Sequence, residues 1–491
     1  VKIELIFVKL NWIDLNLILQ MKIYWIAAVS KNLGLGYQQR IPWHLEQDLK
    51  HFAQLTTGHI VVMGRVTYES IPEERRPLKG RLNVVVTHQP LTPTSSSGVI
   101  YADAQGIEGL LTQLESDPRN VFVCGGASIY QIFQRYSCHR VYLTHIEKEY
   151  PCDRFFVFPT GGLQLDKCSS RYVSETEQCS YRFLEYQCEP RTSHGEFQYL
   201  NLLQDIFDHG NHRDDRTGTG TLGVFGRQIR FDLSQSFPLL TTKFVPFKMI
   251  VKELLWFLKG ETDNQILQKQ GVHIWDGNST REFLDKLGLT DYCEGDIGSM
   301  YGWQWRHFGA QYRGCHADYT GQGIDQLESV MHSLRTDPFS RRIAMTTYNV
   351  ADLEKGVLHP CHGIFVQFYV EGASPPQTPL PPKLSCHMTQ RSVDCGCGLP
   401  FNIASYAILT YIIALKVNMV PGELIISTGD THIYHNHLEA LRQQLTRVPY
   451  PFPQLKLADS LREKPWEDIN VDDFELIGYF SHPAIKLVMN V

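Results

Sequence analysis

The sequence has no excess of positive charge, no paired-cysteine spacing and no long uninterrupted apolar run, and each lack closes off a class of protein. Lys and Arg number 46 against 52 Asp and Glu, a net charge of −6, which argues against a general nucleic-acid binder. Twelve cysteines in 491 residues would frame a disulfide scaffold only in a short secreted chain. Here they are scattered, and the closest pair, Cys395-Gly396-Cys397, lacks the doubled spacing of a structural zinc site. They are expected to be reduced thiols in a reducing, cytoplasmic compartment, with no metal bound. No run of about twenty uncharged apolar residues is evident, so no membrane span is expected. What remains is a composition of 43% hydrophobic and 20% charged residues, typical of globular proteins. The length exceeds one ordinary core, so two or more domains are expected.

Residues 1–20 are apolar and begin with Val, whereas Met21-Lys22-Ile23-Tyr24 opens a good strand. The stretch lacks the Arg- and Ser-rich character of a transit peptide and a small-residue cleavage site, and reads as an upstream segment outside the working protein, with a targeting signal as the alternative. Ile23-Tyr24-Trp25-Ile26-Ala27-Ala28-Val29 is a short apolar run followed by Gly34-Leu35-Gly36. Ile60 to Gly64, Asn83 to Thr87 and Asn120 to Cys124 repeat the pattern. The first runs into the helical Val66 to Ile71, and the last passes Gly125-Gly126 into Ser128-Ile129-Tyr130. Buried strands alternating with helices predict a largely parallel sheet with ligands at the strand ends. Gly125-Gly126 before a helix is either a plain tight turn or a close approach to a pyrophosphate.

The words Leu35-Gly36, Ile41-Pro42-Trp43, Met63-Gly64-Arg65, Thr67-Tyr68-Glu69-Ser70-Ile71-Pro72, Arg76-Pro77-Leu78-Lys79-Gly80-Arg81 and Gly125-Gly126 stand in one order with Tyr142-Leu143-Thr144 and Asp153. Together they resemble dihydrofolate reductase over roughly residues 21–189. The resemblance implies an α/β domain with a mixed sheet, and NADPH as hydride donor. Asp48, between Leu45, Leu49 and Phe52 at helical spacing, is either a surface charge or the carboxylate of an apolar cleft. By resemblance it is the latter: it pairs with the pterin's amidine-like edge, supports protonation at N5 and has Thr144 as neighbour. Ile26, Ala28, Phe52, Ile71 and Leu78 would wall the pterin and benzoyl rings, and Arg81 would clamp the folate α-carboxylate. The NADPH contacts implied are Ala28, Leu35, Gly36, Gly64, Arg65, Val66, Thr67, Thr87, His88 and the run Gly125, Gly126, Ala127, Ser128, Ile129, Tyr130. Arg65 would meet the 2′-phosphate, while His88 also reads as an exposed loop histidine.

Near Glu189-Pro190-Arg191-Thr192-Ser193-His194-Gly195 the pattern changes to a polar loop and then the helix Glu196 to Leu200. The expected division is a segment at 1–20, a domain at 21–189, a short linker at 190–195 and a second domain at 196–491. Two insertion-like loops, Thr92 to Gly98 and Gly372 to Pro382, carry no assigned chemistry. The second is expected to join strands Phe365 to Val370 and Leu384 to His387.

In the second half Leu358-His359-Pro360-Cys361-His362-Gly363 places a thiol beside an imidazole. Cys361 alone could be a small buried hydrophobe. With Arg216, Arg341, Arg342 and Arg391 in the surrounding motifs it suggests covalent attack on a phosphorylated metabolite, since cations favour a thiolate and guanidinium groups read phosphate. The motifs are Arg216-Thr217-Gly218-Thr219-Gly220, Phe237 to Lys243, Glu253 to Leu258, Ile274-Trp275-Asp276, Tyr301-Gly302, Gln304-Trp305-Arg306, Ser340-Arg341-Arg342, Pro360-Cys361-His362, Gln390-Arg391-Ser392, Phe401 to Tyr406 and Gly429 to His432. They resemble thymidylate synthase from about Phe197 to Val491, and the two halves together resemble the fused reductase–synthase enzymes of protists. Many of those carry a long junction that this chain lacks.

That resemblance implies an α+β domain, a homodimer built through it, and conversion of dUMP to dTMP with 5,10-methylenetetrahydrofolate as cosubstrate. No nucleic acid or membrane partner is implied. Cys361 would add to C6 of dUMP, with its thiolate favoured by Arg216, Arg391 and the arginines of the partner subunit. The nucleotide would be held by Arg216, Gln390, Arg391, Ser392, Asn402, His432 and Tyr434, and by Arg341 and Arg342 across a two-fold interface. Glu253 and Tyr301 would move protons. Trp275 and Asp394 would hold the folate and Lys243 its glutamate tail, and His362 would be a structural or electrostatic neighbour. Phe244, Val393 and Ser299-Met300 depart from the usual pattern without removing a reacting group. Two rivals are a dCMP hydroxymethylase, which would favour an acid at Asn402, and an inactive nucleotide-binding relative.

Overall fold

The computed structural model describes residues 21–88, 98–114, 117–159, 161–189, 194–372 and 381–490. The 1–20 segment, most of the junction and most of the two insertion-like loops lie outside these residues. The chain divides into two compact units after His194.

In the first unit, β1 (Ile23–Val29), β2 (Ile60–Gly64), β3 (Leu82–Val86), β4 (Val99–Ala102), β5 (Val121–Val123), β6 (Arg140–Ile146), β7 (Gly162–Cys168), β8 (Tyr172–Ser174) and β9 (Cys179–Glu189) make one sheet. Its order is β8-β9-β6-β1-β5-β2-β3-β4, with β7 also pairing β9. From β6 to β4 every pairing is parallel, and those of β9 are antiparallel. The parallel part follows from the apolar runs: Ile60, Val61, Val62 and Met63 are all buried, as strands covered on both faces must be. The long antiparallel β9 makes the sheet mixed. Two helices matter to the site. The helix α1 (Glu46–Thr56) carries Asp48, and α2 (Ala127–Phe133) begins directly after Gly126.

In the second unit β10 (Asn211–Arg213), β11 (Thr221–Asp232), β12 (Ala344–Met345), β13 (Phe365–Glu371), β14 (Lys383–Asp394) and β15 (Val420–Tyr434) form a sheet in the order β10-β11-β15-β14-β13-β12. Only the β14–β15 pair is parallel. β14 is much longer than the expected Leu384 to His387, so Gln390, Arg391, Ser392 and Asp394 belong to a strand, not to the loop after it. The helix α3 (Phe247–Leu258) carries Glu253, and α4 (Gly398–Lys416) carries Asn402.

By length and composition α4 is apolar enough to cross a membrane, contrary to the expectation that no such segment occurs. Most of it is buried inside this unit, where a helix apolar on all sides is a core helix. The pattern was hard to see because Asn402, Ser405 and Thr410 interrupt it while remaining buried. The opposite face of the sheet carries exposed Phe225, Phe365 and Tyr369, with exposures of 79%, 45% and 67%.

Candidate active sites

In the second unit Cys361 lies on the loop that enters β13. Its N–H donates to the Tyr301 hydroxyl at 3.1 Å and its carbonyl accepts from the Arg391 N–H at 2.8 Å. The Arg391 guanidinium lies 3.8 Å from Sγ and also donates to the carbonyls of His359 and Pro360. Burial pushes the Cys361 thiol up, and Arg391 and Arg216 oppose this without reversing it. Within the single chain these two arginines leave the thiol above its ordinary value; the expected favouring of the thiolate also counted on arginines of a partner subunit. A sulfur that has lost its hydration outweighs a guanidinium shared with two carbonyls.

Tyr301 sits at φ +39° before the short helix Gly302–His307. Gly302 permits this placement: a Cβ there would lie 2.2 Å from the Phe257 carbonyl oxygen. The Tyr301 ring stacks on His362, centroids 4.3 Å apart, and burial pushes its hydroxyl well up. His362 bonds the Tyr406 hydroxyl at 3.0 Å, and burial pushes it down to about 3, so it is neutral. Tyr406 is a partner that sequence reading missed, although it closes the Phe401 to Tyr406 motif.

Glu253, 9% exposed, accepts a hydrogen bond from Trp275 Nε1 at 2.9 Å. Burial pushes it up to about 7, with the tryptophan bond opposing. Such a carboxyl can give and take a proton near neutrality. Asn402 accepts from Gln390 Nε2 at 2.8 Å, which fixes the amide and leaves its Nδ2 group to donate elsewhere. His432 Nδ1 lies 2.9 Å from Asp430, and its ring meets that of Tyr434 edge-on at 5.2 Å. Burial, Asp394 and Asp215 push Tyr434 up to about 12, against Arg216. Ser392 is half-buried on β14, two residues before Asp394.

Asp394 accepts from the N–H groups of Gly396 and Cys397 at 2.7 and 3.2 Å. Burial pushes it up, but His437 and these N–H groups together bring it below the ordinary carboxylate range. His437 also meets the Val488 carbonyl at 2.7 Å, so the C-terminal segment packs against this wall. The run His435-Asn436-His437, just after Tyr434, was the available signal for it.

Lys243, expected to meet a glutamate tail, is instead 6% exposed and donates to the Gly396 carbonyl. A buried ammonium must be hydrogen-bonded, and here the bond is internal. Arg216, Arg341 and Arg342 are exposed, and among the described residues none has an ion-pair partner. Arg216 acts electrostatically on Cys361. Among the described residues Arg341 and Arg342 make no hydrogen bond or ion pair with the Cys361 cluster; they precede edge strand β12, and the Arg341 carbonyl accepts from Gln367.

In the first unit Asp48 accepts from Thr144 Oγ1 at 2.6 Å, and burial pushes its carboxyl up with the threonine opposing. Ile26, Phe52, Ile71 and Leu78 share one apolar cluster, whereas Ala28 packs with the Trp43 group. Arg81 lies over the Phe52 ring and bonds Thr56 Oγ1 at 3.0 Å. At the ends of β2 and β5 the Gly64 N–H donates to the Gly125 carbonyl at 2.8 Å. This joins Gly64-Arg65-Val66-Thr67 to Gly125-Gly126-Ala127-Ser128 where parallel strands deliver their ligands.

A Cβ on Gly125, at φ +99°, would press on Tyr130 at 3.2 Å, whereas one on Gly126 would make an ordinary contact with Thr67 Oγ1. Arg65 is exposed and pairs with Glu69 at 2.9 Å, Val66 is exposed, and Leu35 and Gly36 lie in a short strand. His88 is exposed. Thr87, Ile129 and Tyr130 are buried, and the Tyr130 hydroxyl donates to the Ile26 carbonyl, so these three support the cleft from below its surface.

Both units thus define folate enzymes, one built on a thiol held by a cation and the other on a buried carboxyl. The thymidylate synthase family matches residues 197–491 and the dihydrofolate reductase family residues 22–188. The chain is 42% identical to the bifunctional dihydrofolate reductase-thymidylate synthase of Paramecium tetraurelia, over 95% of this chain and 98% of that one. It is 41% identical to that of Leishmania major, over 95% and 94%, and 41% to one from Arabidopsis thaliana, over 95% of each.

The chain belongs to the bifunctional dihydrofolate reductase–thymidylate synthases. It methylates dUMP to dTMP with 5,10-methylenetetrahydrofolate and reduces the dihydrofolate product with NADPH.

Proposed function

We propose that Cys361 is the synthase nucleophile, adding to C6 of dUMP and leaving C5 able to attack the one-carbon unit. The observation that carries this reading is the single constellation of Cys361, Arg391, Tyr301 and the Glu253–Trp275 pair. Tyr301 would take the C5 proton. Glu253, poised near neutrality, would relay protons to the base and folate. Arg216, Arg391 and Ser392 would hold the phosphate. Asn402, steadied by Gln390, would read uracil; the amide here disfavours the hydroxymethylase rival. His432 and Tyr434 would hold the ribose, and Trp275 and Asp394 the folate. Lys243 is better suited to bracing the Gly396 turn than to reaching a tail.

In the reductase Asp48 would hold the pterin edge and support N5 protonation within the wall of Ile26, Ala28, Phe52, Ile71 and Leu78. Arg81 would bind the folate carboxylate. Gly64 to Thr67, Gly125 to Ser128, Leu35, Gly36 and His88 would hold NADPH, with Arg65 turned from Glu69 to the 2′-phosphate. That cofactor supplies the hydride. We assign residues 21–189 and 196–491 to the two domains and 190–195 to the linker, and place the enzyme in the cytoplasm, where twelve free cysteines would stay reduced.

The synthase would act as a homodimer, with Arg341 and Arg342 serving the neighbour's phosphate. The exposed Phe225, Phe365 and Tyr369 support an interface on the open sheet face. Arg341→Ala and Cys361→Ser proteins, each nearly devoid of synthase activity but competent as reductases, should regain dTMP formation when mixed under subunit exchange. Random pairing leaves about a quarter of sites intact. Unchanged dTMP formation by Cys361→Ser alone would end the nucleophile assignment. Absence of recovery despite proven exchange would place the arginines in cis.

A further inference from the structure

Cys293 and Cys315 stand 22 residues apart in the chain yet meet at Sγ–Sγ 3.3 Å, and the His316 Nδ1 atom is 3.7 Å from the Cys315 sulfur. All three ligand atoms lie within 4.8 Å of one another. We propose that Cys293, Cys315 and His316 form a binding site for one thiophilic divalent cation, zinc being the best fit. None of the three belongs to the reacting machinery assigned above.

Metal–sulfur and metal–nitrogen bonds of about 2.3 and 2.0 Å place tetrahedral ligands roughly 3.4–3.8 Å apart, so the spacing needs only small side-chain adjustments. Cys293 and His316 are exposed and Cys315 half-buried, which gives an ion a path in and leaves a fourth position for water.

The two loops are already pinned without a covalent link. Asp296 accepts from the Cys315 N–H at 3.0 Å, its own N–H donates to the Cys293 carbonyl at 3.1 Å, and Tyr312 donates its hydroxyl to the same carboxylate. Asp296 is fully buried and Asp263 nearly so, and both face this corner.

The buried carboxylates of Asp296 and Asp263 favour a cation at this corner, since a divalent ion offsets their charge together with that of two thiolates. On binding, each thiol gives its proton to solvent and forms a sulfur–metal bond, while the His316 imidazole donates its Nδ1 lone pair. No electron is transferred.

The test uses the full-length protein, reduced, stripped with a chelator and titrated with Co²⁺ and then Zn²⁺. The parent should bind one ion per chain more than the Cys293→Ser/Cys315→Ser double variant. That extra Co²⁺ should show the thiolate-to-metal absorption of two sulfurs. His316→Ala should weaken this ion by at least about tenfold, as losing an inner ligand costs no less than losing an outer one. Both variants should keep reductase and synthase turnover, so a misfolded protein is recognised. Subtracting the double variant removes any ion held by Cys361 or by the Asp394, Cys397 and His437 group. Equal stoichiometry and spectra in parent and double variant, with or without binding, overturn the proposal. So does loss of two titratable thiols to a disulfide in a parent that binds no extra ion.

Discussion

Glu253 is the side chain whose charge is least settled. Its carboxyl, ordinarily near 4.5, is pushed up to about 7 by burial. Below the ordinary value folded and unfolded chains both carry the proton, and the shift has no effect on stability. Between there and about pH 7 the unfolded chain ionises first, so stability falls as pH rises, by ~3 kcal/mol once the folded pKa is passed. Glu253→Gln should therefore raise the unfolding temperature of the synthase unit at pH 8 but not at pH 4.5, while lowering turnover roughly 10²–10⁴-fold. A thermal difference independent of pH would show that the carboxyl is not held protonated by the fold. Asp48 is likewise pushed up by burial. Asp48→Asn should cripple the reductase and spare the synthase, with a smaller defect at low pH where substrate arrives partly protonated. A pH profile matching the parent's would remove Asp48 from its role. Motifs made chemistry legible at this scale where neighbours in sequence share a site, as Pro360-Cys361-His362 and Gln390-Arg391-Ser392 do. The bond of Lys243 to the Gly396 carbonyl was not legible, because a sequence displays an ammonium but not the carbonyl that accepts from it. Cys293 and Cys315 were invisible as a pair because they stand 22 residues apart and are brought together by tertiary contacts, Asp296 with the Cys315 N–H and Tyr292 against Tyr312.

At the scale of elements, the synthase site depends on how closely two helices approach. The helix Gly302–His307 rests on α3 with no side chain at Gly302, where a Cβ would lie 2.2 Å from one backbone atom and 2.5 Å from another of Phe257. Gly302→Ala should push the two helices apart, destabilise this unit by about 1–3 kcal/mol and lower dTMP formation, because Tyr301 rides on one helix and Glu253 on the other. Thermal unfolding and a synthase assay read the two effects, and a variant as stable and active as the parent would show that the backbone yields freely. Strand cores were legible as apolar runs, Ile60 to Gly64 above all, and so were the helices that follow Gly64 and Gly126. Strand ends were not. β14 runs on to Asp394 through Gln390, Arg391 and Ser392, whose polar side chains look like a loop until the pairing with β15 is known. The helix α4 escaped notice as a long apolar segment for the related reason that its polar residues are buried with the rest.

Across the whole molecule the chain divides after His194 into two units, each with its own sheet and core. A ligand that binds only one folded unit stabilises that unit by mass action. NADPH at a hundred times its dissociation constant should raise the reductase unfolding by about 2.7 kcal/mol and dUMP the synthase unfolding alone. Calorimetry with each ligand separately checks this, and equal shifts of all transitions by NADPH would mean that the units melt as one. Family-wide motifs made the two-unit plan legible in the sequence, since each half carries its own ordered set of words. The covalent union of the units has a further result for supply and demand. Each dTMP made releases one dihydrofolate, and each dihydrofolate calls for one turnover of the reductase. With one site of each kind per chain, no change in synthesis or degradation of the protein can alter their ratio. A cell that makes more synthase necessarily makes as much more reductase, so any imbalance between the two steps must be met by turnover rate and never by abundance.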